Sequence, residues 1–194
     1  MGFLSVLSYA HKLAADRLQS GDAAVDATAG TGADTLFLAR ACGRRGQVWA
    51  FDIQAEALRL TGERLAKEAD QVELAQVHLL QRSHADMKEL LPQAVHGHLG
   101  AVMFNLGYLP TEGADHSLIT LAETTLAALE TATSLLRPRG IVTAVLYPGH
   151  PGGDREAEAV QAWAAALPAS VGQTILYRQI QRPHAPYLIA IEKK

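Results

Sequence analysis

The fold of this chain is decided by residues 25–35, which read VDATAGTGADT. An apolar run at 23–27 enters a turn that contains Gly30 and Gly32, and a helix-forming run follows at 33–41. Glycines in such a turn let backbone N–H groups approach a ligand, and open α/β sheets bind ligands at the carboxyl ends of their strands. The segment therefore predicts a strand, a ligand-binding loop and a helix.

Outward from this segment, strand-like and helix-like runs alternate, which is typical of βαβ units and a mostly parallel sheet. The predicted strands are 23–27, 47–52, 77–80, 98–105, 141–147, 172–181 and 187–192, and the predicted helices are 3–18, 33–41, 54–69, 117–136 and 154–166. No helix fits between the last two strands, so we expect them to pair antiparallel. The pattern predicts an α/β fold of the Rossmann-like class I methyltransferase type: a seven-stranded, mostly parallel sheet with a C-terminal antiparallel hairpin and helices on both faces.

Local signals refine these elements. Helical spacing predicts that the first helix buries Leu4, Leu7, Leu13 (or Ala14) and Leu18. Residues 138–140, Pro-Arg-Gly, predict a turn before the fifth strand. Asp154 is the expected N-cap of the last helix, and Cys42 is expected in the core.

Composition limits the class of protein. With 194 residues, 48% of them apolar, we expect one domain over 1–194, with the helix at 3–18 packed on it. The formal charge of −3 gives no overall positive field for nucleic acid, although a local basic patch stays possible. A single cysteine excludes an intramolecular disulfide. The sequence shows neither a signal peptide nor a membrane span, so we expect a cytoplasmic protein.

An acidic residue at the end of the second strand supports a nucleoside cofactor. Asp52 follows Gly32 by 20 positions and can accept hydrogen bonds from ribose hydroxyls; capping the next helix is its alternative role. The NAD fingerprint would have a third glycine where this chain has Thr35. Asp26 would repel a pyrophosphate but can pair with the cationic end of S-adenosylmethionine, which we therefore expect as the cofactor. Ser83-His84 follow the third strand, where His84 either contacts the adenine or caps a short helix at the surface.

The reactive centre is expected after the fourth and fifth strands. Asn105 opens the run NLGYLP and can accept a hydrogen bond from a substrate amine, while Tyr108 can offer its aromatic face. The run matches only in part the Asn-Pro-Pro-aromatic signature of amine methyltransferases; a plain strand end and turn is the alternative. In YPGHPGG, which begins at Tyr147, His150 acts either as a base or in positioning the loop.

Taken together, these motifs resemble the MnmM/YtqB-type methyltransferases, long described as rRNA methylases. The resemblance is carried by residues 25–35, 51–54, 83–84, 104–110, 147–153 and 186–193. It implies methylation of the aminomethyl group of 5-aminomethyl-(2-thio)uridine at the tRNA wobble position, with S-adenosylmethionine as donor, the tRNA anticodon loop as partner and a homodimer. Thr31 and Ala33 depart from the family, which often has Asn and His there.

On these positions we expect two sets of site residues and no metal site. Cofactor-binding residues are expected to be Asp26, Thr28, Gly30, Thr31, Gly32, Asp34, Thr35, Asp52, Gln54, Ser83, His84 and Asn105. Catalytic residues are expected to be Asn105, Tyr108, Tyr147 and His150, with Gly149 shaping the pocket.

The sequence leaves the substrate less certain than the reaction. Arg178, Arg182, His184, Lys193 and Lys194 form either a basic edge for RNA or a solvated face. The alternatives to a tRNA enzyme are a methyltransferase for rRNA or a small amine, a non-catalytic module that binds the donor, and an NAD-dependent oxidoreductase, ranked last because of Asp26 and Thr35.

Overall fold

Seven strands and six α-helices form within the residues that the computed structural model describes, which are 2–107, 122–149 and 152–194. The strands are β1 (Ala23–Asp26), β2 (Gln47–Asp52), β3 (Gln76–Gln81), β4 (Leu99–Asn105), β5 (Leu136–Leu146), β6 (Gly172–Tyr177) and β7 (Tyr187–Lys193). The helices are α1 (Val6–Ala15), α2 (Ala33–Cys42), α3 (Ala55–Glu68), α4 (Met87–Leu90), α5 (Ala122–Leu135) and α6 (Gly153–Ala166), with 3₁₀ turns at His84–Asp86 and Gln93–Val95.

The strands form one sheet in the order β3-β2-β1-β4-β5-β7-β6. Strands β1 to β5 are parallel, and β7 is inserted antiparallel between β5 and β6. The predicted seven-stranded, mostly parallel sheet with a C-terminal antiparallel hairpin is confirmed. Because β7 runs against both of its neighbours, β6 is parallel to β5, and the residues after β6 return to the carboxyl edge of the sheet.

Two apolar layers cover the two faces of this sheet. On one face, Leu129 of α5 and Val160 of α6 are buried in the same cluster as Val102 and Phe104 of β4. On the other face, α1 and α2 pack against β2 and β4, with Leu38 of α2 fully buried. Strand β4 is buried along residues 99–104, as its continuous apolar run predicted for a strand covered on both faces.

The first helix is shorter than predicted; Ala14 and Leu18 are buried as predicted, but Leu4 and Leu7 are not. It begins at Val6 because the Ser5 hydroxyl accepts a hydrogen bond from the Ser8 backbone N–H at 3.1 Å. Ala10 and Ala14 face the sheet, whereas Leu4 and Leu7 are 48% and 39% exposed, so their predicted burial is wrong. Small side chains at the contact let the helix lie close to the sheet.

The turn predicted at 138–140 is absorbed into a strand. Strand β5 begins at Leu136, opposite Leu99, and its register then jumps so that Ala101 faces Ile141. Arg139 takes a left-handed φ of 68° within this irregularity. Turn-forming residues therefore produce a bulge, since the flanking residues on both sides find partners in β4.

Three further local predictions, for an N-cap, a buried cysteine and the end of a strand, can be compared with the structure. Gly152, not Asp154, is the N-cap of α6, because the Asp154 carboxylate accepts a hydrogen bond from the Gly149 backbone N–H at 2.9 Å. Cys42 is buried as predicted, and burial raises the pKa of its thiol to about 12. Strand β6 ends at Tyr177, before the predicted 181. Residues 117–121 of the predicted long helix lie outside the described residues.

Among the described residues, no helix combines the length and the apolar character that crossing a membrane requires. A single domain over 1–194 stays a prediction.

Candidate active site

The candidate site lies where the carboxyl ends of β1, β2, β4 and β5 meet. These strands end at or just before Asp26, Asp52, Asn105 and Tyr147, respectively. Parallel pairing brings their ends to one edge of the sheet, although the four residues are spread over 122 positions of the chain. The topology therefore gathers most of the predicted site residues on one edge.

Glycine is required in the loop after β1 by both conformation and space. Gly30 and Gly32 have φ angles of 52° and 79°, in the left-handed region that glycine favours. A Cβ on Gly32 would lie 2.8 Å from the Thr61 Cα in α3, so a side chain would displace backbone. Arg64 Nε donates to the Thr31 carbonyl at 2.6 Å. The close approach to Thr61 and the hydrogen bond from Arg64 therefore fix the backbone of this loop against α3.

Asp26 lies beneath this loop and is fully buried. One carboxylate oxygen accepts from the Thr28 backbone N–H at 3.0 Å, and the other accepts from the Thr35 hydroxyl at 2.5 Å. Burial, followed by the charge of Asp34, raises the pKa of Asp26 from 3.8 to about 7, although both hydrogen bonds lower it. Thr35, at the place of the third dinucleotide glycine, therefore anchors the loop through Asp26.

Asp52 joins the loop to the start of α3. Its Oδ2 accepts from the Gly30 backbone N–H at 3.0 Å, and its Oδ1 accepts from the Gln54 backbone N–H at 2.9 Å. Asp52 and Gln54 are half-buried. The helix-capping alternative from the sequence is present, and each carboxylate oxygen retains a second lone pair for a ligand.

His84 is buried below the loop, so the alternative of a surface histidine is wrong. Ser83 caps the short 3₁₀ turn by accepting from the Ala85 backbone N–H at 3.1 Å. The His84 Nδ1 donates to the Ala27 carbonyl at 3.2 Å, and the ring lies edge-on to Phe104. Burial lowers the pKa of His84, so the imidazole is neutral and its Nε2 is an acceptor. This Nε2 is buried and has no hydrogen-bond partner in the described part of the chain.

Asn105 presents a second unpartnered acceptor. Its backbone N–H donates to the Thr28 hydroxyl at 2.7 Å, which ties the end of β4 to the loop after β1. Its Oδ1 is buried without a hydrogen-bond partner among the described residues. Burial and the charge of Asp34 raise the pKa of Tyr147, while a hydrogen bond from the Asn105 side chain lowers it. The side chains of Asp34 and Asn105 therefore both influence the pKa of Tyr147 beside the loop.

Two predicted catalytic residues, Tyr108 and His150, lie outside the described residues. One contact of the site was missed from the sequence: His11 of α1 hydrogen-bonds to Asp34 through Nε2 and Oδ1, 2.5 Å apart. No local pattern announces a contact across 23 positions, because an amphipathic helix places many polar side chains at similar spacing. In the described part of the chain, no group of three or more His, Cys, Asp or Glu could hold a metal ion.

The structure divides the predicted basic edge. Lys193 Nζ donates to the carbonyls of Ser134 and Leu136, at 2.8 and 2.7 Å. These carbonyls lie at the amino edge of the sheet, because β5 begins there and β7 runs antiparallel to it. Lys193 and Lys194 therefore do not belong with Arg178, Arg182 and His184, which follow β6 at the other edge.

Comparison with known proteins identifies the family of this chain. Residues 48–192 match the family described as "Putative rRNA methylase". This chain belongs to that rRNA methylase family. Its fold is that of the Rossmann-like, S-adenosylmethionine-dependent methyltransferases, and the chain is an enzyme of that class.

Relatives of this chain agree with it in sequence and fold. The chloroplastic tRNA (mnm(5)s(2)U34)-methyltransferase of Arabidopsis thaliana is 38% identical over 190 residues, which cover 95% of this chain and 68% of the relative. The crystal structure of a protein from Clostridium thermocellum described as a "putative rRNA-methylase" is 34% identical, with a TM-score of 0.90 and full coverage of both chains. A methyltransferase described as putative, from Streptococcus mutans and in complex with SAH, is 29% identical, with a TM-score of 0.85 and full coverage of both chains.

Proposed function

We propose that this enzyme methylates the aminomethyl nitrogen of 5-aminomethyl-(2-thio)uridine at the wobble position of tRNA. The observation that carries the proposal is the buried Asn105 Oδ1, an acceptor without a partner among the described residues, beside the loop that follows β1. An amine N–H is the kind of donor that satisfies such an acceptor. The activity named for the Arabidopsis thaliana relative, a tRNA (mnm(5)s(2)U34)-methyltransferase, supports this substrate class.

The residues around the loop after β1, at the carboxyl edge of the sheet, fit S-adenosylmethionine, which is the methyl donor of this enzyme class. Asp52 offers carboxylate lone pairs to the two ribose hydroxyls, and the buried Nε2 of neutral His84 offers an acceptor to the adenine amino group. Asp34 and Asp26 provide negative charge for the cationic amino-acid end. Because Asp26 is wholly buried with both oxygens engaged, its effect on the donor is electrostatic. When bound, the donor supplies a methyl carbon on a positively charged sulfur.

Asn105 acts on the nucleophile. The substrate amine attacks only as the neutral form, with its lone pair aligned on the methyl carbon, and Asn105 Oδ1 holds one amine N–H to fix that alignment. As the N–C bond forms and the bond from the methyl carbon to sulfur breaks, leaving a neutral thioether, the nitrogen becomes positive and the hydrogen bond to Oδ1 strengthens, so this contact would favour the transition state over the ground state. The new ammonium then releases its proton to water. Tyr147, hydrogen-bonded to Asn105, holds the amide in place.

The raised pKa of Asp26 predicts that donor affinity depends on pH. With a pKa of about 7, Asp26 is largely protonated at pH 6 and ionised at pH 8. The α-ammonium group of the ligand favours the ionised form, so binding must expel the proton at low pH. We expect the Kd of S-adenosylhomocysteine to be about tenfold higher at pH 6 than at pH 8, as isothermal titration calorimetry would measure.

Asp26→Asn is the matched control for this pH dependence. Its amide keeps one acceptor for Thr28 and a donor for Thr35 and removes the titration. We expect the tenfold change to disappear, and the variant to be more stable than the wild type above pH 7, where the buried charge penalises folding. A pH dependence that is unchanged in Asp26→Asn would refute the prediction.

A basic segment between β6 and β7 supports an RNA substrate. It returns to the carboxyl edge, where a Cβ on Gly149 would lie 3.5 Å from the His184 Cβ. The Arg178 guanidinium lies 5.2 Å from the Tyr187 ring centre and donates to the Pro183 carbonyl, which orders the segment. Arg182 and His184 are exposed. The edge is therefore acidic at the donor loop and carries these cations beside the β5 loop, where RNA phosphates would meet them.

Arg182→Ala tests this surface. We expect a higher KM for tRNA, and a slope of log KM against log salt that falls by about one, because one phosphate contact is lost. Donor affinity should stay unchanged. Arg45→Ala, an exposed arginine in the turn before β2 at the opposite edge, is the control and should leave both quantities as in the wild type. Identical salt slopes in the two variants would contradict a role of Arg182 in RNA binding.

A homodimer and a cytoplasmic location are further parts of the proposal. Exposed apolar side chains support a homodimer: Phe3 is 95% exposed and Leu4 48%, and the Leu4 carbonyl accepts a hydrogen bond from Tyr177 of the edge strand β6. Ile175 on the same strand is 47% exposed. Such a patch on an edge strand is typical of an association surface.

The test of the proposed function is methyl transfer from labelled S-adenosylmethionine to bulk tRNA from a strain that lacks this activity, followed by nucleoside mass spectrometry. We expect a new methylaminomethyl uridine. Label appearing only in rRNA or in small amines would overturn the substrate while leaving the enzyme class. Donor binding without transfer to any substrate would favour a non-catalytic module.

A further inference from the structure

The N-terminal helix reaches the donor loop through one side chain. His11 of α1 places Nε2 at 2.5 Å from Oδ1 of Asp34, the second residue of α2. The His11 ring also stacks on Phe37 of α2, with ring centres 4.1 Å apart and planes inclined by 2°. The backbone of α1 is fixed on the sheet by buried Ala10 and Ala14. The imidazole is therefore held on three sides, which is more than a surface ion pair requires.

The charge of Asp34 affects the pKa of two other residues of the site. Asp34 lies two residues beyond Gly32 and is 8% exposed. Its charge raises the pKa of Asp26 on the loop side and that of Tyr147 on the substrate side. The hydrogen bond to His11 engages Oδ1 and leaves Oδ2 clear of that contact. A carboxylate that is largely buried and anchored through one oxygen can present the other oxygen to a cation.

We propose that His11 is a positioning residue of the donor site: it fixes the Asp34 carboxylate so that Oδ2 binds the α-ammonium group at the amino-acid end of the methyl donor. This rests on the donor site described under the proposed function but not on the identity of the methyl acceptor. His11 itself does not touch the donor. Its contribution is preorganisation, since an unanchored Asp34 would lose affinity to side-chain ordering.

The alternative is a strut that only holds α1 on the molecule. The two roles differ in which part of the ligand senses the loss of His11. 5′-Methylthioadenosine shares the adenosine of S-adenosylhomocysteine but lacks its amino-acid end. A positioning role predicts that only the ligand with the amino-acid end binds more weakly, whereas a strut affects both ligands equally or neither.

The experiment measures both ligands by isothermal titration calorimetry in His11→Ala, with His98→Ala as the control. His98 is exposed ahead of β4, at the opposite edge of the sheet. We expect the Kd of S-adenosylhomocysteine to rise about tenfold in His11→Ala, and that of 5′-methylthioadenosine to stay within twofold. His98→Ala should change neither. Equal weakening of both ligands, or no weakening, would overturn the proposal.

Two further variants protect the test. If His11→Ala unfolds, His11→Phe replaces it with the same expectations, because its ring can still stack on Phe37 but cannot donate a hydrogen bond to Asp34. Asp34→Asn and the double variant His11→Ala/Asp34→Asn complete a cycle: we expect the double variant to bind no more weakly than Asp34→Asn alone. Additive losses would show that His11 acts independently of Asp34. Since no methyl acceptor is present, failure here is distinct from failure of the tRNA assignment.

Discussion

Asp52→Ala is expected to weaken binding of S-adenosylhomocysteine roughly 10- to 150-fold, because a charge-assisted hydrogen-bond acceptor contributes about 1.5–3 kcal/mol. The structure adds a second reason: Asp52 also accepts from the Gly30 and Gln54 backbone N–H groups, at 3.0 and 2.9 Å, so its loss loosens the loop and the start of α3. Calorimetric titration of the purified variant gives the affinity.

An analogue of S-adenosylhomocysteine without ribose hydroxyls separates these two effects. The wild-type enzyme should prefer the natural ligand, and Asp52→Ala should lose that preference if the carboxylate binds the ribose. Asp70→Ala, an exposed carboxylate in the turn after α3, is the control for removal of charge. A folded Asp52→Ala enzyme that still discriminates between the two ligands would show that Asp52 only braces the loop.

Features encoded within one segment could be predicted from the sequence. The loop after β1 follows from two glycines beside an apolar strand, and Asp52 follows from its place at the end of the next strand. Strand β2 was predicted with its observed bounds, Gln47–Asp52, because its apolar run is flanked by polar residues on both sides. The terminal hairpin follows from two strand-like runs without an intervening helix. Each signal is local, and local signals survive folding when tertiary packing agrees with them.

Features that depend on contacts between distant segments could not be predicted. Asp154 has the composition of an N-cap, but Gly149 takes its carboxylate. His84 was predicted equally as a surface or an adenine-contacting residue, and its burial depends on Ala27, just after β1, and Phe104 of β4. The His11–Asp34 contact depends on where α1 docks. In each instance the partner of a polar side chain comes from a distant segment, which only the folded sheet brings near it.

At the substrate end of the site, the structure describes only some of the residues that the sequence predicted. Asn105 and Tyr147 are neighbours there, close enough for the Asn105 side chain to lower the pKa of Tyr147, and no spacing in the sequence indicates that proximity. Tyr108 and His150 stay predictions, as their segments lie outside the described residues. The chemistry at this end is therefore best tested through Asn105.

Asn105→Ala is expected to lower the rate of methyl transfer about 100-fold while leaving the Kd of S-adenosylhomocysteine within twofold of the wild type. The rate falls because an amine without a fixed N–H is misaligned with the methyl carbon, and misplacement of about 1 Å can cost that much. Donor affinity is spared because the donor loop is held by Asp26, Asp52 and Thr35. Single-turnover reactions with enzyme in excess over tRNA measure the transfer step apart from product release.

Asn105→Asp decides which end of the amide matters. The carboxylate keeps an acceptor for the amine N–H and removes the donor to Tyr147, so we expect it to recover part of the rate that Asn105→Ala loses. Gln93→Ala, an exposed amide in a 3₁₀ turn before β4, serves as the control and should react like the wild type. If Asn105→Asp were as slow as Asn105→Ala, the hydrogen bond to Tyr147 would be the essential one. If instead donor affinity fell with the rate, Asn105 would belong to the donor site, and the free Oδ1 would no longer argue for an amine substrate.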